Sequence, residues 1–282
     1  IHIHDMDFLT LTTTCCQIDL IKLFAGGFST GHGVLREPNS ISIYAALACI
    51  AIQSNQNDQH GGQAIPNFDY SMAPGVAKSY LKHFYHNLAK AITLLVKLDG
   101  EDIATKVKGE MRLKPTLDKN EAFEEQLKET LKANKVDKFV DEIVEFAITS
   151  AYEETDRETY QAMEAFIHNL NTMHSRAGAQ VPFSSINYGM DTSSEGRMVM
   201  RNILLATEAG LGHGETPIFP IQIFRVKEGI NYNEGEPNYD LFKLACRTSA
   251  KRLFPNFSFV DAPFNKQYLS LIHISEPTRQ AE

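Results

Sequence analysis

The sequence predicts an α/β fold. Val181 to Tyr188 and Ile218 to Val226 are short apolar runs flanked by Gly, Pro and Asp, and helical periodicity fills much of the chain between and around them. On the second run both alternating sides are largely apolar, Phe219, Ile221 and Ile223 against Ile218, Pro220 and Phe224, as expected of a strand covered on both sides.

Each element has its own signal. Phe8 to Leu20 is rich in Thr and β-branched residues and reads as extended, and Gly26, Gly27, Gly31 and Gly33 then mark a loop. Asn39 or Ser40 is placed to cap a helix reaching about Gln56, with Ala45, Ala46, Ala48 and Ala51 supplying propensity and His60-Gly61-Gly62 ending it. Val76, Tyr80, Phe84, Leu88 and Ile92 recur every fourth residue and predict a helix from about Val76 to Val96. Residues 97–138 are charge-rich and read as a solvated helical excursion whose one apolar stripe is Phe123, Leu127 and Leu131. A helix over Val136 to Tyr152 follows. Thr155 and Glu158 then have the capping-box spacing that starts another, through Met163, Phe166, Ile167 and Leu170, ending at Gly178. Asn238, after Pro237, can cap a further helix through Leu241, Leu244 and Ala245.

Composition narrows the function. The 282 residues carry 27 basic and 35 acidic side chains, a formal net charge of −8. That balance argues against sequence-independent binding to nucleic acid, which needs a concentrated basic face. No run approaches the ~18 apolar residues of a membrane span, and no signal-peptide pattern opens the chain, so the sequence reads as soluble and cytoplasmic. The four cysteines, Cys15, Cys16, Cys49 and Cys246, include no CxxC pair and suggest neither a disulfide framework nor a cysteine zinc site. The alternating Ile1-His2-Ile3-His4 reads as a start inside an element. Residues 269–282 read as a non-native tail, with a natural disordered C-terminus as the alternative.

Three constellations could carry chemistry. His2 and His4 share a face if the segment is a strand, so they could meet one metal ion or one phosphate, or simply be satisfied by neighbouring carboxylates and carbonyls. Cys15 and Cys16, in the Thr12-to-Leu20 block, could donate a hydrogen atom or act as thiolates; the alternative is that they are small buried apolar residues. Cys49 and Cys246 read as packing residues on helices. The Gly26–Gly33 loop, followed by Arg36, could offer backbone N–H groups to phosphate, although it is neither a Walker A sequence nor GxGxxG.

Together these blocks resemble the anaerobic (class III) ribonucleoside-triphosphate reductases, a glycyl-radical enzyme family. The residues that carry the resemblance are Ile1 to Asp7, Thr12 to Leu20, Asn39 to Ser42, His60 to Gly62, Asn67 to Asp69 with Ala73-Pro74, Asn171 to His174, Pro237 to Asp240, and Lys251-Arg252. It extends to about residue 268. The resemblance implies that residues 1–268 are part of a ten-stranded α/β barrel, the catalytic domain, with a nucleotide-binding cone domain before it. It implies reduction of ribonucleoside triphosphates at the 2′ carbon by thiyl and glycyl radicals, with formate or a small redox protein as reductant. Within it Cys15, or alternatively Cys16, is the cysteine that supplies hydrogen, and His2, His4, Asp5 and Thr14 would contact substrate. Deoxynucleotide or ATP effectors would bind near Arg36, Asn39 and Ser40, beside a homodimer interface built on the Ala-rich helix. The thiyl cysteine, the glycyl-radical loop and a four-cysteine zinc site would lie beyond the resemblance, no metal is expected on these residues, and a radical-SAM enzyme would be the activating partner. Two other readings remain open: a metal-dependent hydrolase using His2 and His4, and a non-catalytic nucleotide-binding dimerisation fragment.

Overall fold

The computed structural model describes residues 15–31, 33–58, 61–174 and 178–266. In chain order the elements are β1 (Cys16–Gln17), α1 (Leu20–Phe24), β2 (Phe28–Ser29), β3 (Val34–Leu35), α2 (Ile41–Asp58), β4 (Gln63–Ile65), α3 (Phe68–Val96), α4 (Gly100–Glu110), α5 (Glu121–Ala133), α6 (Val140–Thr172), β5 (Ser184–Tyr188), α7 (Ser194–Ala209), β6 (Ile221–Val226), α8 (Tyr239–Arg252), β7 (Asn256–Phe259) and α9 (Pro263–Lys266).

Five strands form one sheet in the order β1-β4-β5-β6-β7, and every neighbouring pair is parallel. Because the strand order follows the chain order, crossovers of one hand place successive helices on the same side of the sheet. The main core lies on that side: Ile65, Ile186, Tyr188, Phe224 and Val226 from the strands meet Ala48, Met72, Phe166, Ile203 and Ala245 from α2, α3, α6, α7 and α8. A second core, built on Phe84, Leu88, Val107, Leu127 and Ile143, joins the far halves of α3 and α6 to α4 and α5. The charge-rich excursion is therefore a packed helical bundle, with Phe123, Leu127 and Leu131 as its buried stripe. Its helices start on side-chain caps: Asp99 accepts from Asp102 N, and Asn120 from Phe123 N. No described helix is long and apolar enough to cross a membrane.

Several sequence expectations are corrected. The helix expected at Val76 begins at Phe68 and runs through Pro74, because Phe68, Asp69, Ser71 and Met72 are all buried and Ser71 Oγ donates to the Asn67 carbonyl at 2.6 Å. The two helices expected around Thr155 are one helix of 33 residues. The Thr155 and Thr159 hydroxyls donate back to the carbonyls of Ala151 and Thr155, and Glu158 bonds to His83 and Ser42 rather than capping a backbone. Asn238 precedes α8 but gives it no side-chain cap; its amide donates to the Gly189 and Asp191 carbonyls. The strands expected from Val181 and Ile218 start later, at Ser184 and Ile221.

The glycine loop also differs from expectation. It folds into the antiparallel hairpin β2–β3, in which Thr30 N donates to Gly33 O and Gly31 N to Ser29 Oγ. Gly27 has φ +83°, and a Cβ there would lie 2.1 Å from the Leu35 carbonyl oxygen, so the turn needs glycine. Cys49 is buried as expected, whereas Cys246 is exposed, because α8 turns Leu241, Ala245 and Thr248 to the core instead. On α2 the residues Ala45, Ala48 and Ala51 are buried in the main core, so this Ala stripe is not a free surface. The exposed side of the helix carries Ser42, Ile43, Ala46 and Ile50.

Candidate functional site

The sheet face opposite the helices carries small and polar residues. Strand register aligns Gln17, Ala64, Ser185 and Ile221 in one row, and Asn187, Ile223 and Asn256 in the next. By strand alternation all of them lie on the face away from Ile65, Ile186, Tyr188 and Phe224, and each is half-buried or exposed. Asn187 Oδ1 is buried and has no hydrogen-bond partner among the described residues. An acceptor left in that state calls for a water or ligand partner. No sequence motif pointed to Ser185 or Asn187; their period-two alternation with Ser184, Ile186 and Tyr188 was the available signal.

The adjacent cysteines divide between the two sides. Cys16 is half-buried, and its Sγ accepts from Asn55 Nδ2 of α2 at 3.0 Å. Burial raises the pKa of the Cys16 thiol, with the Asn55 hydrogen bond opposing that shift. Cys15 is exposed, and alternation puts it on the same side as Gln17, on the face without helices. Extending the register by one residue brings Cys15 toward Gly62 and Phe183, whose ring makes an edge contact with Phe219 at 5.3 Å between centroids.

At the carboxyl ends of β4, β5 and β6 a buried polar network fixes the rim. Asp69 Oδ2 accepts the backbone N–H groups of Gly189, Met190 and Asp191 at 2.9, 2.9 and 3.1 Å. The Arg225 guanidinium is 4.0 Å from Asp69 Oδ1 and donates to Asn67 Oδ1 at 3.1 Å. Gly189 has φ +122°, and a Cβ there would sit 2.6 Å from the Arg225 carbonyl oxygen. Asn231 donates to the Gly189 and Arg225 carbonyls. Burial raises the Asp191 carboxyl pKa and lowers that of Arg225; the charge on Asp69 adds to the first shift and opposes the second. Asn67 and Asp69 belong to a block singled out in the sequence, but their partners lie more than a hundred residues away.

His2, His4, Asp5 and Thr14 lie outside the described residues. Of the candidate anion-binding residues, Arg36 is exposed and Ser40 is buried, its Oγ 3.4 Å from Ile43 N at the start of α2. Asn39 is exposed and lines a groove of about 780 Å³ between α3 and α4 that also carries Lys78, Lys82, His86 and Lys108 together with Glu101 and Glu154, and Lys78 is paired with Glu37 at 2.6 Å. Lys108 Nζ lies over the Tyr85 ring, 5.4 Å from its centroid. The structure thus brings Asn39 into a groove of mixed charge, three lysines and two glutamates, whose described lining does not include Arg36. Among the described residues no group of three or more His, Cys, Asp or Glu side chains is arranged to hold a metal ion.

The family model described as anaerobic ribonucleoside-triphosphate reductase matches residues 1–275. The chain is 28% identical over 269 residues to the anaerobic ribonucleoside-triphosphate reductase of Enterobacteria phage T4, covering 94% of this chain and 35% of that relative. It is 28% and 27% identical over 259 residues to the proteins of the same name from Salmonella typhimurium and Escherichia coli, covering 91% of this chain and 29% of each. The chain thus spans about a third of the length of the curated relatives it matches.

Proposed function

The chain belongs to the anaerobic ribonucleoside-triphosphate reductase family, and from that premise we propose that it forms part of the catalytic barrel of an enzyme that reduces ribonucleoside triphosphates to deoxyribonucleoside triphosphates. In this reading the five parallel strands are part of a ten-stranded barrel, and the face carrying Ser185 and Asn187 is its lumen. A glycyl radical, installed by a radical-SAM activating enzyme, supplies hydrogen-atom abstraction, and formate is the reductant. The zinc of the family pattern has no fitting ligand set among the described residues, and no step of the reaction is assigned to it.

The observation that carries the reading, beyond the family match, is the division of the cysteine pair. After the 2′ hydroxyl has taken up a proton and left as water, Cys15 would give a hydrogen atom to the ribose 2′ carbon, and the thiyl so formed would be returned to thiol at the expense of formate, which is oxidised to carbon dioxide. Cys16 holds the strand against α2 through Asn55. Asn187 and Ser185 are placed to bond ribose hydroxyls, and Ile221 and Ile223 keep water from the reacting face. His2, His4, Asp5 and Thr14 complete the substrate contacts in this reading.

For regulation, we propose that a nucleotide effector enters the groove beside Asn39. Its lysines Lys82 and Lys108, which have no carboxylate ion pair among the described residues, favour a triphosphate, and Tyr85 offers an aromatic face. Arg36 and Ser40 flank its entrance segment. The exposed side of α2, with Ile43, Ala46 and Ile50, is where a second copy would pack in a homodimer.

The test is made in a complete reductase containing this segment. Cys15→Ser should abolish deoxynucleotide formation with substrate binding nearly intact, because exchanging sulfur for oxygen hardly alters volume while removing the hydrogen donor. Cys16→Ser should leave most activity. Loss at Cys16 alone, or equal loss at both, would reject the assignment.

A further inference from the structure

We propose that the cavity enclosed by α3, α5, α6 and residues 116–120 binds a small protonated amine carried on an aromatic or aliphatic body. The cavity measures about 470 Å³, within the roughly 300–1,000 Å³ typical of small-molecule sites. Leu117, Phe123, Val144 and Ile148 give it apolar walls.

Tyr80 supplies the polar anchor. It lines the cavity and is only 2% exposed, yet its hydroxyl has no hydrogen-bond partner among the described residues. Burial, helped by the charge of Glu124, pushes the phenol pKa up to about 12, so the group stays a neutral hydroxyl able to donate and accept. The hydroxyl faces the cavity, and a ligand that meets it makes a hydrogen bond in a site screened less than open water.

The sign of the ligand follows from the rim. Four carboxylates, Asp118, Glu124, Asp141 and Glu145, stand against two lysines, Lys119 and Lys128. Lys128 is closed in an ion pair with Asp141, and Lys119 lies 3.8 Å from Glu121. Asp118, Glu124 and Glu145 therefore have no lysine or arginine ion pair among the described residues. A cation is attracted and a phosphate repelled, so this is not a second nucleotide site. Position gives binding a consequence. Leu117 packs against both hydrophobic cores, and Asp118 accepts from the Ser194 hydroxyl of α7. A ligand here would fasten the excursion to the main core and raise its resistance to opening.

The experiment uses the 282-residue chain with phenethylammonium as the probe and phenylacetate, its anionic near-isostere, as control. Methyl resonances of Leu117, Val144 and Ile148 should shift saturably with millimolar phenethylammonium and not with phenylacetate, and amide exchange in α4 and α5 should slow. Tyr80→Phe should weaken binding about tenfold, the loss of one good hydrogen bond. Thr149→Trp, at the exposed rim, should block the cavity without disturbing the core. No saturable shift with phenethylammonium, equal binding of phenylacetate, or binding unchanged in both variants would each overturn the proposal.

Discussion

Asn55 Nδ2 donates to Cys16 Sγ at 3.0 Å and also to Gln63 Oε1 at 2.7 Å. This one amide ties α2 to β1 and β4 and fixes which of two adjacent thiols is turned away from solvent. The neighbouring Cys15 is exposed, one residue earlier on the strand.

This arrangement predicts a reactivity order. Under native conditions iodoacetamide should modify Cys15 and Cys246 first and Cys16 at least about tenfold more slowly, since reactivity follows thiolate content and access. Cys49, buried and with its thiol pKa pushed up to about 12 by desolvation, should stay unmodified until the protein unfolds. Peptide mapping by mass spectrometry over a time course reads the order, and faster labelling of Cys16 than of Cys15 would contradict the placement of the pair.

Asp69→Asn should destabilise the fold by about 3–5 kcal/mol. The substitution removes the buried charge that faces Arg225 and accepts from three backbone N–H groups. The urea midpoint should fall with little change in slope. A loss below about 1 kcal/mol would mean that the rim loop of Gly189 to Asp191 holds without the carboxylate.

Glu158 gives the fold an acid dependence. Its carboxyl pKa is lowered from 4.5 to about 2, chiefly by the hydrogen bond to His83, with Ser42 and Ser79 contributing. A carboxylate with a depressed folded-state value stabilises fully above its unfolded value and loses that contribution as pH falls from about 4.5 through about 2. Glu158→Gln should therefore cost about 1–2 kcal/mol at neutral pH, allowing for solvent screening of a part-exposed pair. The difference from the parent should shrink steadily between those two pH values. Denaturation curves at stepped pH test this; a difference that stays constant would exclude Glu158 as the source.

Leu127→Ala should cost about 2–5 kcal/mol, since the side chain is fully buried in the second core. Because that core is separate from the one on the sheet, hydrogen exchange should accelerate in α4 and α5 well before β5 and β6 are affected. Uniform acceleration across both cores would show that they unfold as one unit.

The amino-acid order alone determined much of this molecule. A fourth-residue repeat specified the long helix carrying Tyr80, Phe84 and Leu88, and the Phe123, Leu127 and Leu131 stripe marked a helix with one buried side. Alternation located β5 and β6, and the ordered blocks around Cys15, Asn67 and Pro237 identified the family. These signals are local: a helix or strand writes its period into neighbouring residues. Tertiary structure decided the rest. β4 and β7 are only three and four residues long, too short for alternation to distinguish them from loop, and pairing with β5 and β6 makes them strands. Thr155 and Glu158 have a helix-starting pattern, yet the helix runs through them because buried hydroxyls bond backwards and Glu158 meets His83 on another helix. The Ala face of α2 could equally have met a second copy or its own core, and only packing against α6 determined which. Asp69 is one acidic residue among many until folding brings the amides of Gly189 to Asp191 around it. A sequence fixes which polar groups a chain carries, but their partners come from distant segments, and desolvation on folding makes those pairings decisive.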